Sequence, residues 1–249
     1  MIQSLERGIL ALNFLARRRN AGVTEVAEDL GVNKSTAFRI LETLIAYNMV
    51  AQDEATAKYK LGPGILRLSD QLSKSLSIIA AAKPHMARLA EETGESSHLC
   101  MLSGGSAVVI EQFMSSSRLA VNAKVGNAEP VYCSSVGKCL LAFCDKEKRE
   151  SILSKLRFTA YTGNTITDMK ALRKELEIIR AKGYAVDDAE LSADVLCVAA
   201  PVFGHNGALY SVGISGPLER MKEKGEALLA EKLVQAAQRI SEQLGHFRE

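Results

Sequence analysis

Apolar residues recur at helical spacing through the N-terminal segment of the chain. Leu5, Ile9, Leu12 and Leu15 form one stripe, widened by Leu10 and Phe14, and the segment closes in Arg17-Arg18-Arg19-Asn20, which predicts a first helix. Thr24, with Glu25 and Glu28 in the opening turns, predicts a short capped second helix to Leu30, where Gly31 can take the left-handed turn. Asn33 is the expected N-cap of a third helix, whose Ala37, Ile40, Leu41 and Leu44 fall at i, i+3, i+4 and i+7. Met49 to Gln52 and Lys58 to Leu61 read as two short strands around a polar hairpin tip, Asp53 to Ala57. Three helices followed by a β-hairpin predict a winged helix-turn-helix.

The pattern Ile65, Leu68, Leu72, Leu76, Ile79 predicts a further helix, and Pro84 favours a break or a new first turn after it. This divides the chain into a DNA-binding domain over 1–64, a linker helix over 65–83 and a second domain over 84–249. In that second domain a helix from Pro84 to Glu92 precedes strands near Ser97 to Leu102 and Ala107 to Phe113, joined by Gly104-Gly105, and a third near Leu119 to Lys124. Helical patterns return at Ser134 to Phe143, Lys146 to Leu156 and Asp168 to Lys182. Strands follow at Val195 to Val202 and Ala208 to Ser215, then a helix from Glu219 to Leu244. Strands and helices that do not strictly alternate indicate an α+β domain with a largely antiparallel sheet.

Charge changes this picture little: 31 Lys and Arg stand against 29 acidic residues, so nucleic-acid binding must rest on local placement. A 47% hydrophobic composition over 249 residues supplies ample core. Five cysteines, Cys100, Cys133, Cys139, Cys144 and Cys197, form no CxxC pair and suit a reducing cytoplasm. Met1 to Arg19 is interrupted by Glu6 and Arg7 and lacks the form of a signal peptide, and no apolar run reaches the roughly 18 to 20 residues of a membrane span. The expected location is cytoplasmic, with no membrane partner.

Helix-turn-helix chemistry places the N-terminal turns of the second helix of the motif in the major groove. Lys34, Ser35, Thr36 and Arg39 are the side chains so placed, off the apolar face of the third helix. Lys and Arg can donate to guanine or phosphate, and the hydroxyls and first-turn amides can hold phosphate oxygens. At the hairpin tip Thr56 and Lys58 can reach a phosphate or the minor groove, while Asp53 and Glu54 oppose that attraction and read as a solvated turn. Arg17 to Arg19 is accounted for by the helix dipole, which favours cations at a C-terminus.

Ser4 to Leu10 (SLERGIL), Val23 to Leu41 (VTEVAEDLGVNKSTAFRIL) and Tyr59-Lys60-Leu61-Gly62-Pro63 resemble the N-terminal region of the IclR family of bacterial regulators. The likeness continues through Ser134 to Ala142 (SSVGKCLLA), Glu190, Cys197 to Phe203 (CVAAPVF) and Ser215-Gly216-Pro217, covering nearly the whole chain. This resemblance implies a GAF-like effector-binding domain, homodimers or dimers of dimers, and operator DNA of approximate two-fold symmetry. It also implies an effector pocket of Ser135, Val136, Asp187, Cys197, Gly213 and Ser215, taking an organic acid or related metabolite. Amides at a helix start can bind a carboxylate, and Asp187 and Ser215 can fix hydroxyl or oxo groups. Where glyoxylate- or pyruvate-responsive relatives tend to place a serine, this chain has Gly213. Arg118, ahead of the expected third strand, is a candidate cation near the same cavity, although a lone strand-edge arginine more often faces solvent.

No cofactor or metal is expected. Gly137-Lys138 fails the phosphate-loop pattern twice, with Tyr132 where the first glycine belongs and Cys139 after the lysine. No G-x-G-x-x-G follows a strand, no H-E-x-x-H occurs, and His85, His98, His205 and His246 lack metal-ligand spacing. His98 and Cys100 read as packing on one strand face. A rival enzyme would use Cys197 as nucleophile with His205 as base, and a second rival would use the winged helix for protein contacts; operator binding separates both from a regulator. An isolated strand cysteine is more often a small buried hydrophobe.

Overall fold

The computed structural model describes residues 2–68, 77–204 and 209–246, which belong to two units, Met1–Leu76 and Ser77–Glu249. Part of the linker expected over 65–83, residues 69–76, lies outside the described residues, as does His205.

In the first unit, α1 (Gln3–Arg18), α2 (Val23–Asp29) and α3 (Lys34–Ala46) precede a two-stranded antiparallel hairpin, β1 (Val50–Gln52) and β2 (Tyr59–Leu61). Ala11, Phe14, Leu15, Val26, Ala27, Ala37 and Leu41 bury together with Val50 and Tyr59. The hairpin is fastened to the helices by reciprocal main-chain bonds between Ala21 and Tyr59, at 2.9 and 2.8 Å. Helix α2 is capped two residues earlier than Thr24 suggests: Glu25 reaches back to accept the Gly22 N–H at 2.8 Å. Only the C-terminal half of the α1 stripe is covered. Leu5, Ile9 and Leu10 remain 61%, 52% and 46% exposed.

Gly62 marks the exit from the hairpin. Its amide donates to the Met49 carbonyl at 2.8 Å, and a β-carbon there would collide with the carbonyl oxygen of Asn48. The Tyr-x-Leu-Gly sequence therefore ends in glycine for lack of room.

The second unit is built on a six-stranded antiparallel sheet in the order β5-β4-β3-β8-β7-β6. Its strands are β3 (Ser96–Ser103), β4 (Ser106–Phe113), β5 (Ala128–Pro130), β6 (Ala185–Asp188), β7 (Val195–Phe203) and β8 (Leu209–Pro217). On one face lie α4 (Ser77–Thr93), whose Met86 carbonyl accepts from Ser97 Oγ at 2.8 Å, and α9 (Glu226–Gln243), whose Ser241 Oγ accepts the Phe203 amide at 3.0 Å. The other face carries α5 (Ser135–Phe143) and α7 (Met169–Lys182), whose Leu140, Leu141, Leu172, Leu176 and Ile179 share a core with Cys100, Ala185 and Ala199. Two shorter helices, α6 (Lys146–Leu153) and α8 (Leu218–Lys224), complete the α+β unit.

Four expectations are corrected. Leu119 to Lys124 is not a strand; the Gln112 carboxamide, oriented to satisfy its neighbours, holds this segment through Asn122 Oδ1 and both main-chain groups of Ala123, so a side chain replaces a backbone ladder. The third strand of the domain is instead β5. The helix expected from Glu219 to Leu244 breaks into α8 and α9 at Gly225, whose φ of 85° is a left-handed geometry that favours glycine. A strand that the pattern did not indicate, β6, follows Gly183. Finally, α4 runs through Pro84 without ending: one helical N–H is lost, while Ile78, Ala82, Met86 and Leu89 bury the face that holds the helix in place.

Candidate functional site

Helix α3 begins as its sequence requires. Asn33 Oδ1 accepts the Thr36 amide and the Ser35 hydroxyl, both at 2.8 Å, capping the first turn and fixing the serine. Lys34, Ser35 and Arg39 are exposed and Thr36 is half-buried. Thr36, Arg39 and Thr43 also line a groove of about 760 Å³ with Ser4, Leu5, Arg7, Gly8 and Leu12 of α1. The four candidate α3 residues thus occupy the first two turns of one helix. At the hairpin tip Asp53 Oδ1 accepts both the amide and the hydroxyl of Thr56 at 2.9 Å, which holds its carboxyl below the usual range. Asp53 builds the turn, as expected, and Thr56 is spent within it. Lys58 stays exposed beside them.

In the second unit, strand register gathers the pocket candidates. Ser215 pairs with Cys197 and Cys197 with Asp187 across β8, β7 and β6, with Ser96 on the far side of Ser215. Directly opposed residues share a face, so this row points toward α5. Two residues along, His98, Gly213, Ala199 and Ala185 form a parallel row on the same face. Ser134 caps α5 by accepting the Gly137 amide at 3.2 Å, which sets Ser135 and Val136 in its first turn. Val136 lies over Gly213: a β-carbon on that glycine would stand 3.0 Å from Val136 Cγ1 and 2.7 Å from His98 Nε2. Thus the structure brings Val136, Asp187, Cys197, Gly213 and Ser215 to one face of the sheet. Ser135 is buried beside Val136, and its hydroxyl has no hydrogen-bond partner among the described residues. Arg118 is exposed in the β4–β5 loop.

The electrostatics of this face are acidic. Asp187 is 2% exposed, and its Oδ1 accepts the amides of Glu190 and Leu191 at 2.7 and 3.3 Å. Burial pushes its carboxyl up to about 6 against the pull of the Glu190 amide and Lys138. Burial, then repulsion from Asp187, raises Glu129 of β5 to about 7, so carboxyls on the two edge strands come within electrostatic reach. Lys138 is buried to 1% exposure and donates to Glu190, with Glu175 at 3.7 Å. Burial still carries Glu190 up to about 7, and its second oxygen is unpartnered among the described residues. The Ser215 hydroxyl donates to Cys197 Sγ at 3.0 Å, and burial pushes that thiol well up, which keeps it protonated at neutral pH. A thiol held protonated in this way is poorly suited to act as a nucleophile.

Sequence reading missed Lys138, Glu129 and the placement of His98. Glycine-lysine at a helix start hid a buried ion pair, Glu129 stood alone in what looked like loop, and the packing assigned to His98 was correct as to face but silent on Gly213. Among the described residues no group of three His, Cys, Asp or Glu could hold a metal ion, and no helix is long and apolar enough to cross a membrane.

Residues 4–54 match the family described as IclR helix-turn-helix domain, and residues 71–242 match Bacterial transcriptional regulator IclR C-terminal. The chain is 33% identical over 248 residues to the DNA-binding transcriptional repressor YiaJ of Escherichia coli, covering 98% of this chain and 88% of that protein. It is 30% identical over 241 residues to the HTH-type transcriptional regulator BhcR of Paracoccus denitrificans, covering 96% and 86%. Among solved structures, a transcriptional regulator from Rhodococcus superposes with a TM-score of 0.84 at 31% identity, covering 98% of this chain and 99% of that one. An IclR homolog from Microbacterium hydrocarbonoxydans, complexed with 4-hydroxybenzoate, gives a TM-score of 0.85 at 25% identity, covering 97% and 99%. The chain belongs to the IclR family of DNA-binding transcriptional regulators.

Proposed function

We propose that this protein binds operator DNA through Lys34, Ser35, Thr36 and Arg39 of α3, with Lys58 of the hairpin on the adjacent backbone, under control of a small-molecule effector. The observation that carries the reading is the Asn33-capped start of α3, where exposed cationic and hydroxyl side chains stand on a helix whose other face is buried. Arg39 and Lys34 supply donors to guanine or phosphate, and the hydroxyls and first-turn amides supply donors to phosphate. The functional division is a DNA-binding domain over 1–64, a linker over 65–83 and an effector domain over 84–249, working in the cytoplasm.

The effector is an organic acid or related metabolite held by Ser135, Val136, Asp187, Cys197, Gly213 and Ser215. Support comes from their convergence on one sheet face and from the 4-hydroxybenzoate complex of a relative. Active assemblies are homodimers or dimers of dimers, matched to two half-sites of DNA. The uncovered Leu5 and Ile9 on α1 give a second copy an apolar surface to bury.

Operator fragments selected from genomic DNA by the purified protein provide the test. Arg39→Ala should weaken operator binding by fluorescence anisotropy while leaving the unfolding temperature unchanged, and Asp187→Ala should retain operator binding while losing the effector response. Equal operator affinity of wild type and Arg39→Ala at matched salt would refute the DNA assignment.

A further inference from the structure

Gly213 is a point where the backbone of β8 leaves space that another residue occupies. The imidazole of His98 lies over its α-carbon, so close that a side chain at 213 would meet Nε2 at 2.7 Å. His98 is 2% exposed, yet its Nδ1 has no hydrogen-bond partner among the described residues. A buried polar nitrogen without a partner costs free energy, and such atoms concentrate where a bound molecule completes the bonding. Burial pushes the imidazole down to about 4, so at neutral pH it is uncharged and offers one donor and one acceptor.

On the same face of the sheet stand several carboxyl groups and one committed cation. Glu129 and Asp187 contribute carboxylates from the two edge strands, whereas the buried cation Lys138 is already committed to Glu190 and Glu175. A short oxo acid brings mainly acceptors into this setting, and an aromatic acid brings an apolar ring. A ligand rich in hydroxyl groups can donate to these carboxyl groups when they are ionised and accept from them when burial leaves them protonated. The first turn of α5, with the unpartnered Ser135 hydroxyl, provides a place for a carboxylate at one end of such a ligand.

We propose that His98 and Glu129 are the specificity-determining residues of this pocket, and that they select a polyhydroxylated compound, a sugar acid or a sugar alcohol, through hydrogen bonds to its hydroxyl groups. The proposal rests on the effector-pocket reading above and names the ligand chemistry within it. Gly213 and His98 act as a unit: the histidine supplies the polar contact that a longer residue at 213 would otherwise make, and the glycine makes room for it.

The test uses the full chain, with gluconate, sorbitol, pyruvate and 4-hydroxybenzoate as probes in isothermal titration. Gluconate, sorbitol or both should bind more tightly than either of the other two. A preference for gluconate over sorbitol places a carboxylate at α5, and equal affinity assigns recognition to the hydroxyls alone. His98→Ala and Glu129→Gln should each weaken that binding about tenfold, the loss of one buried hydrogen bond. His98→Ala combined with Gly213→Ser should fold and shift preference toward pyruvate. Glu129→Gln, on a half-buried edge strand, keeps the test decisive if His98→Ala lowers stability. Failure of both polyhydroxylated probes to bind at millimolar concentration overturns the proposal, as does tighter binding of pyruvate or 4-hydroxybenzoate. Wild-type affinity in both single variants overturns it as well. Operator binding, read in the same samples without probe, tests the regulator reading separately.

Discussion

Replacing Asn33 by alanine removes the acceptor of two 2.8 Å bonds, from the Thr36 amide and the Ser35 hydroxyl. The site is exposed, so water recovers part of the loss, and an N-cap deletion of this kind costs about 1 kcal/mol. That free energy corresponds to a roughly fivefold rise in opening of the first α3 turn. Because Lys34, Ser35 and Thr36 ride on that turn, operator affinity should fall by up to about fivefold with the salt dependence nearly unchanged. Asn33→Asp separates the two roles. The carboxylate keeps the cap and restores the turn, but it sets a negative charge against the phosphates, so affinity should fall further at low salt and the log-log salt slope should shrink by about one. Hydrogen exchange of the α3 amides reads the first effect, and fluorescence anisotropy on a selected operator across a salt series reads the second. Unaltered protection in Asn33→Ala, or an Asn33→Asp variant that binds DNA with wild-type affinity and slope, would refute the reasoning.

Gly62→Ala should destabilise the N-terminal unit by about 1 to 3 kcal/mol through overpacking against the Asn48 carbonyl, seen as lost hydrogen-exchange protection in β1 and β2. Glu95 is fully buried and accepts from Arg220 at 2.6 and 2.5 Å and from Lys224, so Glu95→Ala, which leaves these cations only the Leu119 and Thr93 carbonyls, should cost about 3 kcal/mol in urea unfolding of the C-terminal unit. Glu129 is protonated more readily folded, at about 7, than at its ordinary 4.5, so its contribution to stability falls as pH rises through that window. Glu129→Gln should therefore be more stable than wild type by about 1 to 3 kcal/mol at pH 8, and the gain should vanish below the unfolded pKa. Denaturant midpoints at the two pH extremes check the sign.

The elements legible in sequence are those whose ends carry side-chain chemistry. Asn33, Ser134 and Asp168 each accept an amide of the first turn of the helix that follows, and each helix begins within one residue of the start its sequence suggests. The winged-helix order and the β3–β4 hairpin were equally plain, because apolar spacing and Gly104-Gly105 agree there. β6 escaped notice because a four-residue strand ending in two aspartates violates strand preference; its place is fixed by pairing with β7, a long-range fact. Leu119 to Lys124 misled in the opposite sense, since its alternation suits a strand but its backbone is tied by Gln112. The proposed effector residues were suggested in sequence only by family likeness. The acidity of that sheet face depends on a fold that brings Glu129 and Asp187 into each other's field from positions far apart in the chain.

The sheet ends on β5 and β6, strands of three and four residues. An intruding strand would find few free amides and carbonyls on either border, so the sheet resists being extended by a neighbouring molecule. The brevity of these borders works against edge-to-edge joining of sheets.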